Sequence, residues 1–493
     1  MGQQTGLLPQ VREVSPVAGL RRRRLGFLPV LAQSVSATAP TAVMATVPVL
    51  VLARAGPLAL PVVATAIAVV LLVVHCVTQF SRRMAAVGGL YSYVAKGLGP
   101  VPALITGLAA ILGYAAVAMS SLLAVGVYLS AFAGRLGLSG AHRQWQVGVI
   151  VVAAGALAGT LMVRGIRVSS LVTLVVELVS VALITVVLGA LLVVAPAHLR
   201  ISALPATVDA SSVALGGVLA LAGFIGFESA STLGAEAARP LQAVSRAVRW
   251  TPAVTGVLFA LAAVAEVGTL ALEPPSAAYS SVPLIDLAEL NRMGALVPLL
   301  DFGIAASFLA CTIASMNALV RVVFCMSREG VLPPILGRTH RRFHTPHYAV
   351  LAMTALVVLA PVLLLASGTA PNEALTTLLI LSAYGYLGSY VAVCVAAPCF
   401  LYRIGEWSTR TLLAGGTATV VLLAAAWAAV DGTPWRLTAP VVASGLILVA
   451  GVLWILLLRL LAPGRLREIG LYDEATASDL LWLPGRGREG RRP

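Results

Sequence analysis

The stretch Leu219-Ala-Leu-Ala-Gly-Phe-Ile-Gly-Phe-Glu-Ser-Ala-Ser-Thr-Leu-Gly234, closed by Glu236, Arg239 and Pro240, decides how the rest of this chain is read. With the apolar residues that precede it from Ser212, the run is long enough to span a bilayer. Gly223, Gly226, Glu228, Ser229, Ser231 and Thr232 nevertheless interrupt it. A carboxylate inside a spanning helix costs roughly 2.5–3.5 kcal/mol on insertion scales, so Glu228 must face protein or a water-filled cavity. The glycines beside it loosen the helix and let backbone groups approach a ligand. An acid in a weakened apolar helix has the form of a transport site.

The surrounding sequence is of the same kind. Of 493 residues, 59% are hydrophobic and only 11% charged, with a mean hydropathy of +0.97. A soluble chain carries about 25% charged residues, so this is a membrane protein throughout. Twelve apolar stretches of about 18–30 residues meet the length needed to cross the hydrocarbon. They lie at 25–53, 57–79, 101–133, 146–163, 168–194, 212–235, 252–272, 297–326, 347–367, 375–401, 411–430 and 437–461. Connections are short, apart from an outer loop at 273–296. The expected organisation is a basic cytoplasmic segment at 1–24, a transmembrane domain at 25–461 and a basic cytoplasmic tail at 462–493. The tail includes Leu480-Leu-Trp-Leu-Pro484, which lies on the membrane surface or packs locally.

A formal charge of +14 suggests nucleic acid until the cations are placed. With the N-terminus in the cytoplasm, 27 of the 33 Lys and Arg fall inside, and only Arg54, Arg135, Arg143, Arg200, Arg292 and Arg436 fall outside. That asymmetry is the positive-inside pattern and favours an even number of spans in the cell membrane. Anionic lipid is then a sufficient partner for the basic tails, and no nucleic acid is expected. The run Arg21-Arg-Arg-Arg-Leu-Gly-Phe-Leu imitates a twin-arginine leader, but apolar sequence continues unbroken from Ala39 to Ala53 and makes a full span instead. Cys76, Cys311, Cys325, Cys394 and Cys399 fall in apolar stretches without metal-ligand spacing and are read as small hydrophobes. His340, His344 and His347 share one basic loop with no paired acid or Cys, so no metal site is expected. Neither a zinc-protease pair, a serine-hydrolase elbow nor a phosphate-binding loop occurs, and no cofactor and no enzyme activity are expected.

Two spans are damaged in comparable ways. The first carries Gln33-Ser34-Val-Ser36-Ala-Thr38-Ala-Pro40-Thr41 at mid-depth, with Pro48 after it. Proline there removes a backbone donor and clashes with the preceding turn, so the helix is predicted to break or kink. The sixth carries Gly223 to Thr232. They lie five spans apart, as in two five-span repeats at about 25–194 and 212–401, with two further helices at about 411–461. Interrupted hydrophobic segments at matching positions of two halves point to a transporter's substrate site. Half-helix N-termini expose N–H groups that suit a carboxylate, and broken carbonyls suit an ammonium. The alternative is that Ser, Thr and Gly merely let helices approach closely.

Three segments then occur in order: Gly88-Gly-Leu-Tyr-Ser-Tyr-Val-Ala-Lys-Gly-Leu-Gly-Pro100; Phe224-Ile-Gly-Phe-Glu-Ser229 through Glu236 and Pro240; and Ser315-Met-Asn-Ala-Leu-Val-Arg321 through Ser327-Arg-Glu-Gly-Val-Leu-Pro333, with Thr345-Pro346. They resemble the loop after the second span, the sixth span with its cap, and the eighth span with its loop in amino acid permeases of the amino acid–polyamine–organocation superfamily. The resemblance covers nearly the whole chain. It implies an all-α membrane fold with the five-plus-five inverted repeat of the bacterial leucine transporter plus two C-terminal helices. It also implies secondary transport of an amino acid or related amine by alternating access, the alternatives being exchange of the same substrate class or a channel or sensor that keeps the fold without turnover. The aromatic residues of the first segment are expected to anchor at the membrane interface. Glu236 with Arg239, and Arg328 with Glu329, are candidate cytoplasmic ion pairs of a gate, or else solvated charges.

The candidate substrate site is Ser36, Ala37, Thr38 and Ala39, whose N–H groups would meet a carboxylate, with Gly223, Phe224, Gly226 and Glu228 on the amine side. Three departures from the family pattern stand out. Ser36-Ala-Thr38-Ala-Pro40 replaces a glycine-rich break, Ala222 stands where some members carry a gating aromatic, and Glu177 stands where several proton-coupled members carry a lysine. Coupling is expected to use protons, with Glu177 or Glu228 binding a proton outside and releasing it inside. Sodium is the alternative, held by Glu177 with Thr312 or Ser315 and carbonyls of span one; a third possibility is that each acid only holds helices together. Substrate identity, direction of transport and oligomeric state stay open.

Overall fold

The computed structural model describes residues 20, 22–137, 143–164, 166–194, 209–270, 282–430, 435–461 and 469–470. The expectations for residues 1–19 and for the tail beyond 470, Leu480 to Pro484 included, lie outside the described residues. Fifteen α-helices follow in order: α1 (Phe27–Thr38), α2 (Pro40–Ala55), α3 (Ala59–Ser81), α4 (Leu90–Leu98), α5 (Pro100–Arg135), α6 (Arg143–Arg164), α7 (Ile166–Val194), α8 (Ala210–Ala222), α9 (Pro240–Leu270), α10 (Pro283–Leu290), α11 (Val297–Arg328), α12 (His347–Ala366), α13 (Pro371–Arg403), α14 (Thr409–Ala428) and α15 (Trp435–Leu461). A 3₁₀ segment, Phe227–Leu233, follows α8. Helix is what an apolar chain must form where lipid offers its backbone no hydrogen bonds. Prolines start α2, α5, α10 and α13, where a missing N–H costs nothing.

Among the described residues, ten helical runs are long and apolar enough to cross a membrane. The first, Phe27–Ser81, has 55 residues. As helix that is about 80 Å, against a hydrocarbon core of about 30 Å, so α1 with α2 makes one crossing and α3 the next. α15 adds a shorter apolar stretch, Ala439–Trp454. Helices five crossings apart touch one another: α2 meets α8, α3 meets α9, α5 meets α11 and α6 meets α12.

α5 runs through the middle, against α11 on one side and α13 on the other. Small residues let it do so. A Cβ at Gly385 of α13 would lie 2.6 Å from the Gly113 nitrogen and 2.8 Å from its Cα, so the two backbones touch. α7 is peripheral and exposes Leu171, Val175, Leu178, Val179 and Val186, an apolar face suited to lipid.

Two local expectations are corrected. The aromatic residues of α4 are not free to anchor in headgroups: Tyr91 and Tyr93 are fully buried, with Tyr93 stacked on Phe80 at 5.0 Å and the Tyr91 hydroxyl donating to Glu329. They find protein partners before they find headgroups. The outer loop is also not plain loop, because it contains α10, whose Leu284, Ile285 and Leu287 are buried.

The α5–α13 contact has a direct check. Gly385→Ala is expected to lower the thermal midpoint of the purified protein despite alanine's better helix propensity, because overpacking at a backbone contact costs about 1–3 kcal/mol. Gly388→Ala, whose Cβ would sit 3.6 Å from the Ala109 Cβ, is expected to leave it unchanged or raise it. Equal midpoints for the two variants would show that α5 and α13 do not meet here.

Candidate functional site

The first break is made by Pro40. It has no N–H to continue the α1 ladder, and its ring disfavours the α conformation in the residue before it. Ala39 accordingly sits at φ 47°, ψ 66°, in the left-handed region. A non-glycine residue there stores roughly 1–3 kcal/mol. The second break is made by glycine. α8 ends at Ala222, the N–H groups of Gly223, Phe224 and Ile225 reach back three residues to the carbonyls of Ala220, Leu221 and Ala222, and Gly226 turns the chain at φ 109°.

The two breaks lie against each other. A Cβ on Gly226 would stand 2.5 Å from the Ala37 carbonyl oxygen and 2.8 Å from the Ala37 Cβ. Gly226 is therefore required twice, for its backbone angle and for the close approach. Side chains tie the half-helices together around this point. The Ser34 hydroxyl donates to the Phe227 carbonyl at 2.7 Å, the Ser229 hydroxyl to the Gln33 carbonyl at 3.2 Å, and Gln33 Nε2 to the Ala314 carbonyl of α11 at 2.7 Å.

Each break is served by one buried acid. Glu228 Oε1 accepts the Tyr114 hydroxyl of α5 at 2.9 Å; its Oε2 accepts the Tyr390 hydroxyl of α13 at 2.9 Å and the Gly226 N–H at 3.3 Å. Glu177 of α7 accepts the Thr41 N–H at 2.9 Å through Oε1, while its Oε2 has no partner among the described residues. Both acids have no exposed surface. Polar groups so deep in a bilayer are tolerated because donors of the chain meet them.

A cavity of about 310 Å³ opens from the breaks. Thr38, Ala39, Ala222 and Gly223 line its floor, Tyr128 and Cys311 its sides, and Arg54 with Asn372 its mouth. The opposite end is shut. Arg23 donates its N–H to the Ala235 carbonyl at 2.9 Å, Arg24 and Leu25 donate theirs to the Glu236 carbonyl at 2.8 Å, and Ala238 donates to the Leu25 carbonyl at 2.8 Å. Arg321 closes on the Glu236 carboxylate at 2.6 and 3.0 Å, with both side chains nearly buried. The expected Glu236–Arg239 pair is thereby corrected: Arg239 points to the exposed surface, and α11 supplies the cation from the protein interior. Glu329 accepts the Tyr91 hydroxyl and, at 3.0 Å, the Gly470 N–H, while Arg328 lies over the Phe324 ring.

Of the residues singled out in the sequence, Ala37, Thr38, Ala39 and Gly223 line the cavity. Ser36 is buried with its hydroxyl unpartnered among the described residues, and Phe224 packs edge-on against Phe259 at 5.7 Å. Gly226 and Glu228 stand behind the wall, shaping it. Thr312 bonds the Phe308 carbonyl of its own helix, and Ser315 lies 3.8 Å from the Cys311 sulfur; neither shares a hydrogen bond with Glu177. Sequence reasoning missed Tyr114, Tyr390 and Arg321 as partners, since neither a tyrosine nor an arginine near a helix end signals its distant contact. It also passed over Glu266 of α9, a buried acid in an apolar span and so legible by the same rule that found Glu228.

Comparison with known proteins agrees with this architecture. Residues 25–456 match the amino acid permease family, and the chain belongs to it. An uncharacterised transporter of Mycobacterium tuberculosis is 29% identical over 303 residues, 59% of this chain and 64% of the relative. A low-affinity putrescine importer of Escherichia coli is 23% identical over 291 residues, 57% of this chain and 61% of the importer. Both matches span less than two thirds of the relative's own length. Among solved structures, a manganese transporter of Eremococcus coleocola superposes with a TM-score of 0.54 at 14% identity, covering 89% of this chain and 95% of that one. That likeness shows the fold alone. The protein is a multi-pass membrane protein of the amino acid permease family.

The apposed breaks predict a contrast between neighbouring glycines. Gly226→Ala is expected to remove both thermal stability and transport, because the new Cβ meets the backbone of Ala37. Gly223→Ala meets the Val43 Cγ1 at 3.0 Å, a side chain that can give way, and the Ala220 carbonyl oxygen at a looser 3.3 Å, and should be milder on stability. Unfolding midpoints of the two purified variants check this; a Gly226→Ala protein as stable as the parent would refute the apposition.

Proposed function

We propose that the protein is a secondary active transporter of an amino acid or related amine, working by alternating access in the cytoplasmic membrane and driven by protons. The observation that carries this reading is the cavity that ends at two facing helix breaks, open at one end and shut at the other by the segment 23–25, Glu236 and Arg321. Opening the shut end and closing the mouth would carry a ligand across. Twelve spans, both termini cytoplasmic, and repeats at about 25–194 and 212–401 complete the proposal. The resemblance to a putrescine importer supports the amine side of the substrate class.

Glu177 and Glu228 are the proposed coupling groups. Each bonds a backbone N–H at a break to another helix: Glu177 holds α2 to α7, and Glu228 holds the turn at Gly226 to α5 and α13. A proton placed on either carboxylate weakens those bonds and frees one half-helix from its neighbours. Proton binding and a change of shape would thus share one set of hydrogen bonds. Sodium receives less support, since Thr312 bonds its own helix instead of turning to Glu177.

Uptake into proteoliposomes tests this. It is expected to rise as external pH falls, to ignore sodium, and to lose its pH dependence in Glu177→Gln or Glu228→Gln. Sodium-stimulated uptake with a flat pH profile would overturn the proton mechanism, and absence of saturable counterflow for every amino acid and amine tried would overturn transport.

A further inference from the structure

A second cavity, of about 530 Å³, lies at the shut end of the bundle, where α11 stops and the chain turns towards α12. Arg328, Arg338, Ser327 and Thr339 line it together with Gly330 and Gly337. Arg328 is the last residue of α11, and Arg338 follows the short 3₁₀ turn Pro334–Gly337. Gly337 lets turn and helix close on one space: a Cβ there would stand 3.0 Å from the Ser327 Oγ and 3.3 Å from the Arg328 Cδ. The Ser327 hydroxyl donates to the Pro333 carbonyl at 2.6 Å and holds the turn to the helix. The cavity is thus built by the chain and is separate from the one at the helix breaks.

Its charge is of one sign. Arg328, Arg338, Arg341 and Arg342 are all exposed, and the acid of the same segment, Glu329, is turned inward onto the Tyr91 hydroxyl and the Gly470 N–H. The Arg338 guanidinium has no partner among the described residues. The C-terminal end of a helix ordinarily repels an anion. Here its last carbonyls are occupied: Ser327 accepts the Gly330 N–H, and Met326 accepts those of Val331 and Leu332, so the arginines set the local charge. Apolar side chains border the same place. Ile335 in the turn and Leu351 on α12 are exposed, and Trp454 of α15 donates its indole N–H to the Val331 carbonyl at 3.2 Å. Tryptophan takes such positions at a membrane boundary. An anion held between the arginines would have apolar surface beside it, which suits a lipid and adds nothing for a free ion.

We propose that this cavity binds a phosphate group between Arg328 and Arg338, and that the phosphate is the headgroup of an anionic membrane phospholipid. Two guanidinium forks match phosphate oxygens in geometry and charge, and basic pockets beside spanning helices suit anionic headgroups. Arg321, whose pair with Glu236 shuts the bundle, lies two turns back along α11 from Arg328. A lipid in the cavity would therefore hold the end of the helix that makes the closure. The site does not depend on what the central cavity carries.

The test titrates the purified full-length protein in detergent with dihexanoyl phosphatidylglycerol, dihexanoyl phosphatidylcholine and inorganic phosphate, reading the thermal midpoint. A ligand that binds only the folded state raises it. Phosphatidylglycerol is expected to reach half its full shift at a concentration at least fivefold below phosphatidylcholine. Arg328→Gln and Arg338→Gln are each expected to raise that concentration at least fivefold. Arg341→Gln, which removes an equal charge from the same loop outside the cavity, is expected to change it less than twofold. Where Arg328→Gln fails to fold, Arg338→Gln decides, since its exposed side chain has no contact of that kind to lose. Inorganic phosphate that acts at as low a concentration as the lipid, with the same dependence on Arg338, would overturn the assignment to lipid and support a free-phosphate site. An equal loss in Arg341→Gln would mean a diffuse basic surface and overturn the cavity. An equal response to the two lipids, or no shift with any of the three ligands, would overturn the inference outright.

Discussion

A backbone N–H inside a bilayer has no water to turn to, and breaking a helix there creates several at once. The rest of this structure depends on how that debt is settled. At the first break the chain omits one N–H with Pro40 and gives the next, from Thr41, to Glu177. At the second it folds Gly226 back onto its own Glu228. Glu177 thereby ties the first break to α7, and Glu228 ties the second to α5 and α13, so movement at the breaks strains these bonds to the neighbouring helices. The same few bonds supply both rigidity and a means of release.

Small residues do the complementary work. Gly226 against Ala37 brings the breaks into contact, and Gly385 against Gly113 seats α5 at the centre. Between them the chain leaves a cavity of about 310 Å³, walled by small and apolar side chains. The shut end is built differently, from an extended segment and a nearly buried Arg321–Glu236 pair. Such a pair contributes little net stability, since desolvation offsets attraction, but losing one partner leaves an uncompensated charge. It suits a closure that must form and part as a unit.

Much of this was legible in the chain. Periodicity, length and arginine placement define helical spans, and the interruptions at Pro40 and at Gly223 to Thr232 marked the places where the helices do break. The reason is local: proline and glycine act on their own backbone. What could not be read was pairing across the bundle. Nothing near Tyr114 or Tyr390 announces that both reach Glu228, and the neighbouring Arg239 was a natural partner for Glu236 until α11 brought Arg321 closer. The tyrosines of α4 misled for the same reason. Their sequence suits an interface, and only the packed bundle shows that Phe80 and Glu329 claim them.

The central claim, that ligand occupies the cavity at the apposed breaks, is tested most directly by protection from chemical modification. Ala222→Cys places a thiol on the cavity floor, in a protein whose five native cysteines have been replaced. In right-side-out vesicles a membrane-impermeant maleimide should reach it from the outer face, and a saturating concentration of transported ligand should slow its modification at least severalfold. An unchanged rate in the presence of a ligand that is demonstrably transported would contradict the account.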